Sequence, residues 1–134
     1  MEQTLKEQIY GSEEEHRQKL ARLERDPKIL EANKELIRQF LTDKAAEGVT
    51  TVRLNIILTA LVRVARASPK AFSDFEEKDV REAVGTLERK EISQWTKNIS
   101  KSCLKILLKR LGKATSVYDW IKNKRPPNRL RSED

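Results

Sequence analysis

The segment from Thr51 to Ala67, TVRLNIILTALVRVARA, constrains the fold of this chain more than any other. Leu54, Ile57, Leu58, Leu61, Val64 and Ala65 recur at helical spacing, and Ile56 and Val62 carry the apolar surface almost all the way round. A helix that is apolar on nearly every side has to be covered by other elements. It is too short to span a bilayer, and Arg63 and Arg66 follow its most apolar part. It is therefore predicted as the central buried helix of a bundle, capped by Thr50 or Thr51. Its polar first turn includes Arg53 and suits phosphate contacts, while Thr50 alone reads as a simple cap.

Around this helix the chain divides at recognisable punctuation. Leu5 and Ile9 form a weak leader that Gly11-Ser12 is expected to interrupt, with Ser12 and three acids opening the next helix. In that helix Leu20 and Leu23 are too few for a wide face, and His16 reads as a solvated histidine. Asp26-Pro27 opens a helix to about Glu47, with Leu30, Leu36, Ile37, Phe40, Leu41 and Ala45 inward and Gly48 ending it. After a loop containing Pro69, the pairs Ser73/Glu76 and Asp74/Glu77 have capping-box spacing. They open a helix to about Lys90 with Val80, Ala83, Val84 and Leu87 on one face. Val117, Tyr118, Trp120 and Ile121 form a short closing helix capped by Ser116. Four glycines, four prolines and no sustained apolar-polar alternation leave no strand, so the fold is predicted to be all-α.

The last long helix, Ser93 to Gly112, carries two unlike stripes. Trp95, Ile99, Cys103, Ile106, Leu107 and Leu111 form an apolar stripe, with Trp95 as a core or hinge residue. Lys97, Lys101, Lys105 and Lys109 recur every fourth residue, a row of like charges that weakens an isolated helix and that a polyanion would stabilise. The charge of the whole chain is +7, and its distribution is uneven. From Ser93 onward there are eleven basic against three acidic residues, whereas the preceding residues are close to balanced. A segregated positive excess reads as a surface for phosphates or for an acidic partner. The tail KNKRPPNRLRSED continues it, and its two prolines favour an extended segment.

Most catalytic chemistries are excluded. One histidine and one cysteine, far apart, cannot build a Ser/His or Cys/His site, and there is no Gly-rich phosphate loop, zinc-ligand spacing or dinucleotide fingerprint. No cofactor or metal is expected, and Cys103 reads as a small core residue. The N-terminus MEQTLKEQIYG has no signal-peptide pattern, so an intracellular, cytoplasmic protein without membrane contact is expected.

The segments NKELIRQFLTDKAAEGVT, TTVRLNIILTALVRVAR, FEEKDVREAVGTLERKEIS, SQWTKNISKSCLKILLKRLG and DWIKNKRPPNRLRSED, in this order and spacing, resemble the N-terminal core-binding domain of tyrosine recombinases, the phage-type and archaeal integrases, and the start of its linker. The resemblance covers residues 26–134. It implies a SAM-like bundle of four main helices, here with an extra N-terminal helix and a short C-terminal one. It divides the chain into a leader and helix (1–25), a core-binding domain (26–121) and a basic linker (122–134). It implies double-stranded DNA as partner, clamped on one face during recombination or integration, with self-association on DNA belonging to the full-length protein. The strand-exchange chemistry would reside in a separate catalytic domain, so no catalytic residue is assigned to this chain; Tyr10 and Tyr118 sit in no nucleophile motif. The DNA contacts it implies are Thr51 and Arg53, then Gln94, Thr96, Lys97, Asn98, Lys101 and Lys105, then Lys124, Arg125, Arg129 and Arg131. Gln94 and Asn98 are candidate readers of adenine edges, and Arg53 of guanine. The alternatives are a stand-alone helical transcription regulator and a helical module docking an acidic protein.

Overall fold

The structure, a computed structural model, describes residues 2–68 and 70–124, with side chains described from Gly11 onward. Among the described residues six α-helices follow one another: α1 (Glu2–Arg25), α2 (Glu31–Ala46), α3 (Thr51–Arg66), α4 (Glu77–Arg89), α5 (Gln94–Arg110) and α6 (Thr115–Tyr118). No strand occurs among the described residues, and the all-α prediction holds. Helix α3 is central as its composition demands, packed against α1, α2 and α5, while α6 bridges α4 and α5. All six of its predicted core residues are buried, with Ala60. Each large aliphatic side chain placed there contributes about 2 kcal/mol of transfer free energy.

The helix ends follow local chemistry. The Thr50 hydroxyl accepts from the Arg53 amide at 3.3 Å and starts α3. Gly48 and Gly112 adopt φ of +93° and +76° after α2 and α5, a conformation that other residues reach only with strain. In both cases the amide of the next residue returns to the helix, Val49 to the Lys44 carbonyl and Lys113 to the Leu108 carbonyl.

Three expectations at boundaries are corrected. Helix α1 runs unbroken through Gly11-Ser12. A glycine inside a helix costs about 1 kcal/mol, and docking on α3 offsets it: the Ser12 carbonyl accepts from Asn55 Nδ2 at 3.1 Å, and Lys19 Nζ donates to the Thr59 hydroxyl at 2.9 Å. His16 is not merely solvated, since its Nδ1 lies 2.8 Å from Asn55 Oδ1. Leu23 is in the core, so the part of α1 that follows Gly11 packs on the main body of the bundle.

Helix α2 begins at Glu31 instead of at Pro27. Asp26 caps a turn, accepting from the Lys28 amide at 2.9 Å, and this turn drives Ile29 into the core while Leu30 is left exposed. Ala45 is also exposed, whereas Asn33 and Lys34 are buried. Helix α4 begins at Glu77, and its capping box is Glu76 with Asp79, later than either predicted pair. The shift follows from burial of Phe72 and Phe75, whose rings meet edge-on at 5.3 Å in a single 3₁₀ turn. Asn33 Oδ1 accepts from the Phe72 amide at 2.8 Å and holds that turn on α2.

Candidate nucleic-acid interface

Helix α5 starts where Ser93 Oγ accepts from the Thr96 amide at 3.1 Å. Its interior side consists of Ser100, Lys101, Cys103, Leu104, Leu107 and Leu108. At 100° per residue this places Trp95, Asn98, Ser102, Ile106 and Lys109 outward, with Ile99 and Lys105 at the margins. Two apolar stripes compete on this helix, and the interior takes the one containing Leu104 and Leu108. The predicted stripe is therefore corrected: Cys103 and Leu107 are buried, but Trp95 is 58% exposed and Ile106 46% exposed. Burial pushes the Cys103 thiol up to about 11, as expected of a core cysteine.

The lysine row does not form one exposed face. Lys101 is 1% exposed; its Nζ donates to the Lys122 carbonyl at 2.8 Å and meets Glu88 Oε2 at 3.3 Å. Lys97 is half-buried and donates to the Glu88 backbone carbonyl at 2.7 Å. The reason is rotational: turning Leu104 and Leu108 inward carries Lys97 and Lys101 toward α4. Lys101 is thereby removed from the set of DNA contacts. Lys105 remains half-exposed and Lys109 exposed, with no ion pair for either among the described residues.

The two amide side chains expected to read bases are engaged internally. Asn98 Nδ2 donates to the Lys124 carbonyl at 2.7 Å, and its Oδ1 accepts from the Lys124 amide at 3.2 Å and from Gln94 Nε2 at 3.0 Å. Asn123 Nδ2 donates to Ser102 Oγ at 3.0 Å. These bonds lay Lys122, Asn123 and Lys124 along α5, where Lys124 Nζ also pairs with Glu88 at 3.2 Å. Burial pushes the Glu88 carboxyl up, but the ammonium groups of Lys124 and Lys101 outweigh it and hold the carboxyl below its ordinary value.

Arg53 projects from the first turn of α3 into an open groove of about 430 Å³ between α3 and α5, shared with Lys44, Asn98, Ser102, Ile106 and Asn123. Thr51 is half-buried beside it. Thr96 belongs to the α5 cap, its hydroxyl 2.8 Å from Ser93 Oγ. Arg125, Arg129 and Arg131 lie outside the described residues. The residues that sequence reading missed at this face are Ser102 and Asn123, and Lys109, part of the predicted basic row, joins it although the resemblance did not include it among the contacts. One available signal was that α3 and α5 contain no aspartate or glutamate, whereas α1, α2 and α4 each contain several.

Among the described residues no group of three His, Cys, Asp or Glu side chains could hold a metal ion, and no helix is long and apolar enough to cross a membrane. Comparison of the chain with protein-family models, with curated proteins and with solved structures finds no match in any of the three.

Proposed function

We propose that this chain binds double-stranded DNA through the joint face of α3 and α5, in the manner of a tyrosine-recombinase core-binding domain. One observation carries the reading. The two long helices without an acidic residue pack side by side, and Arg53, Lys105 and Lys109 point away from the core. A surface with cations and no carboxylate on its own helices attracts phosphates with little competing repulsion, Glu15 of α1 being the acid that lines its margin. The α3 N-terminus beside Arg53 adds backbone amides of the same electrostatic sign. The order and spacing of the helix motifs support the recombinase assignment, in which a separate domain performs strand exchange.

The test is a salt titration of binding to random duplex DNA, comparing wild type with Arg53→Gln/Lys105→Gln/Lys109→Gln. Each phosphate contact contributes roughly −0.9 to the slope of log affinity against log salt. The variant's slope is expected to be shallower by about two to three units. Equal slopes, or no binding by either protein at low salt, would remove this face as a DNA surface. The acidic-protein reading draws its own support from exposed Trp95 and Ile106 on the same face, and the second outcome favours it.

A further inference from the structure

We infer that the α3–α5 face discriminates DNA sequence by apolar contact with thymine methyl groups, using Trp95, Ile106 and Val52, instead of by amide hydrogen bonds to base edges. This rests on the duplex-binding reading above and adds what the duplex must contain.

Four large apolar side chains are strongly exposed among the described residues, and three of them lie on these two helices: Val52 at 58%, Trp95 at 58% and Ile106 at 46%. They are not scattered. Trp95, Ile56 and Ile99 line both open grooves beside α3, one of which includes Val52 and the other Ile106. The result is an apolar strip along the seam of the two helices, with Ile56, Trp95 and Ile99 common to both grooves. Trp95 and Ile106 are eleven residues apart on one side of α5, about 16 Å along its axis at 1.5 Å per residue. That distance spans about five base pairs of a duplex rising 3.4 Å per pair.

The two amide side chains that would otherwise read adenine are engaged internally. Gln94 donates to Asn98, and Asn98 holds the backbone of Lys124 at both its amide and its carbonyl. What remains unengaged at the two ends of the outer side of α5 is hydrocarbon, Trp95 and Ile106, with Lys105 and Lys109 beside Ile106. The charge favours a phosphate-lined partner: neither helix contributes a carboxylate, and Arg53, Lys105 and Lys109 outnumber Glu15 of α1, the acid that lines the groove beside Val52. Within that partner the major groove offers one apolar group, the C5-methyl of thymine. Each methyl removed from water against the strip should change affinity about three- to fourfold.

The experiment uses the full chain and a random-sequence duplex pool amplified either with dTTP or with dUTP. The two pools share phosphates and base-edge hydrogen-bonding groups and differ in the methyl. They compete for limiting protein. The expected result is several-fold preference for the thymine pool, at the same salt slope, and loss of that preference in Val52→Ser/Ile106→Ser, whose positions are exposed enough to leave the fold intact. Equal retention of both pools with steep salt dependence overturns the methyl reading and leaves duplex binding standing. Absence of salt-dependent binding to either pool overturns both the methyl reading and duplex binding by this face.

Discussion

The ammonium group of Lys101 lies 2.8 Å from the carbonyl oxygen of Lys122, and this contact places a residue with the spacing of a surface lysine inside the protein. Its stem follows Leu104 and Leu108 inward, and its charge is met by Glu88 at 3.3 Å. A buried lysine is tolerated only when oxygens surround its ammonium group.

Substitution of Lys101 should therefore act on stability before it acts on any ligand. Lys101→Met keeps the stem but leaves the Lys122 carbonyl without its donor, an expected loss of about 1–3 kcal/mol. Lys101→Glu sets a second carboxylate beside Glu88 and should cost about 3 kcal/mol or more. Urea denaturation measures both. A Lys101→Glu protein with the wild-type midpoint would place this side chain in solvent.

The choice between the two apolar stripes of α5 can be read from a pair of alanine variants. Leu104 is fully buried, and Leu104→Ala should lose about 2–5 kcal/mol through lost transfer energy and a residual cavity. Ile106→Ala removes a side chain from the surface and should stay within about 0.5 kcal/mol. The reverse order of thermal midpoints would return the helix to the orientation its periodicity predicts.

Asn98 joins α5 to the chain leaving α6 by two bonds to the Lys124 backbone. Asn98→Ala should free this segment without disturbing the core. Trypsin cleavage after Lys122 or Lys124 should accelerate several-fold while the circular dichroism spectrum and melting of the bundle change little. Cleavage at the wild-type rate would mean that Asn98 does not hold the segment.

Acid should weaken the same junction through Glu88. Its carboxyl is held below the ordinary value of 4.5 in the folded protein by Lys124 and Lys101, against the opposing effect of burial. A depressed folded value means a contribution to stability that is present above about 4.5 and is lost as pH falls through the folded value. The stability difference between wild type and Glu88→Gln should therefore narrow as pH is lowered from 5 toward 3. A difference that stays constant over this range would show that the carboxylate is not stabilised by its two lysines.

Much of the helical framework was legible because it depends on local chemistry and on burial from all sides. Thr50, Gly48, Ser93 and Gly112 mark helix ends with the φ angles and cap bonds their side chains favour. The inward residues of α4 were legible for a different reason, since Val80, Ala83, Val84 and Leu87 offer one apolar face without a competitor. Helix α5 offers two apolar faces, and periodicity alone could not rank them. The candidate site suffered most from this ambiguity: Arg53 and Lys105 stay outward, whereas Lys101 is lost to the interior and Gln94 and Asn98 to internal bonds.

By itself, then, the amino-acid order determined that the chain is helical, where most helices end, that Thr51–Arg66 is the hub, and that positive charge gathers toward the C-terminal third. The tertiary structure decided that α1 continues through Gly11, that Ile29, Phe72 and Phe75 displace the expected starts of α2 and α4, and which side of α5 meets the core. It also paired residues far apart in the chain, His16 with Asn55 and Lys101 with Lys122. The division has a physical cause. Caps and periodicity involve neighbours within one turn, whereas the rotation of a helix and the partner of a buried polar group are set by shape and charge on elements that meet only when the chain is folded.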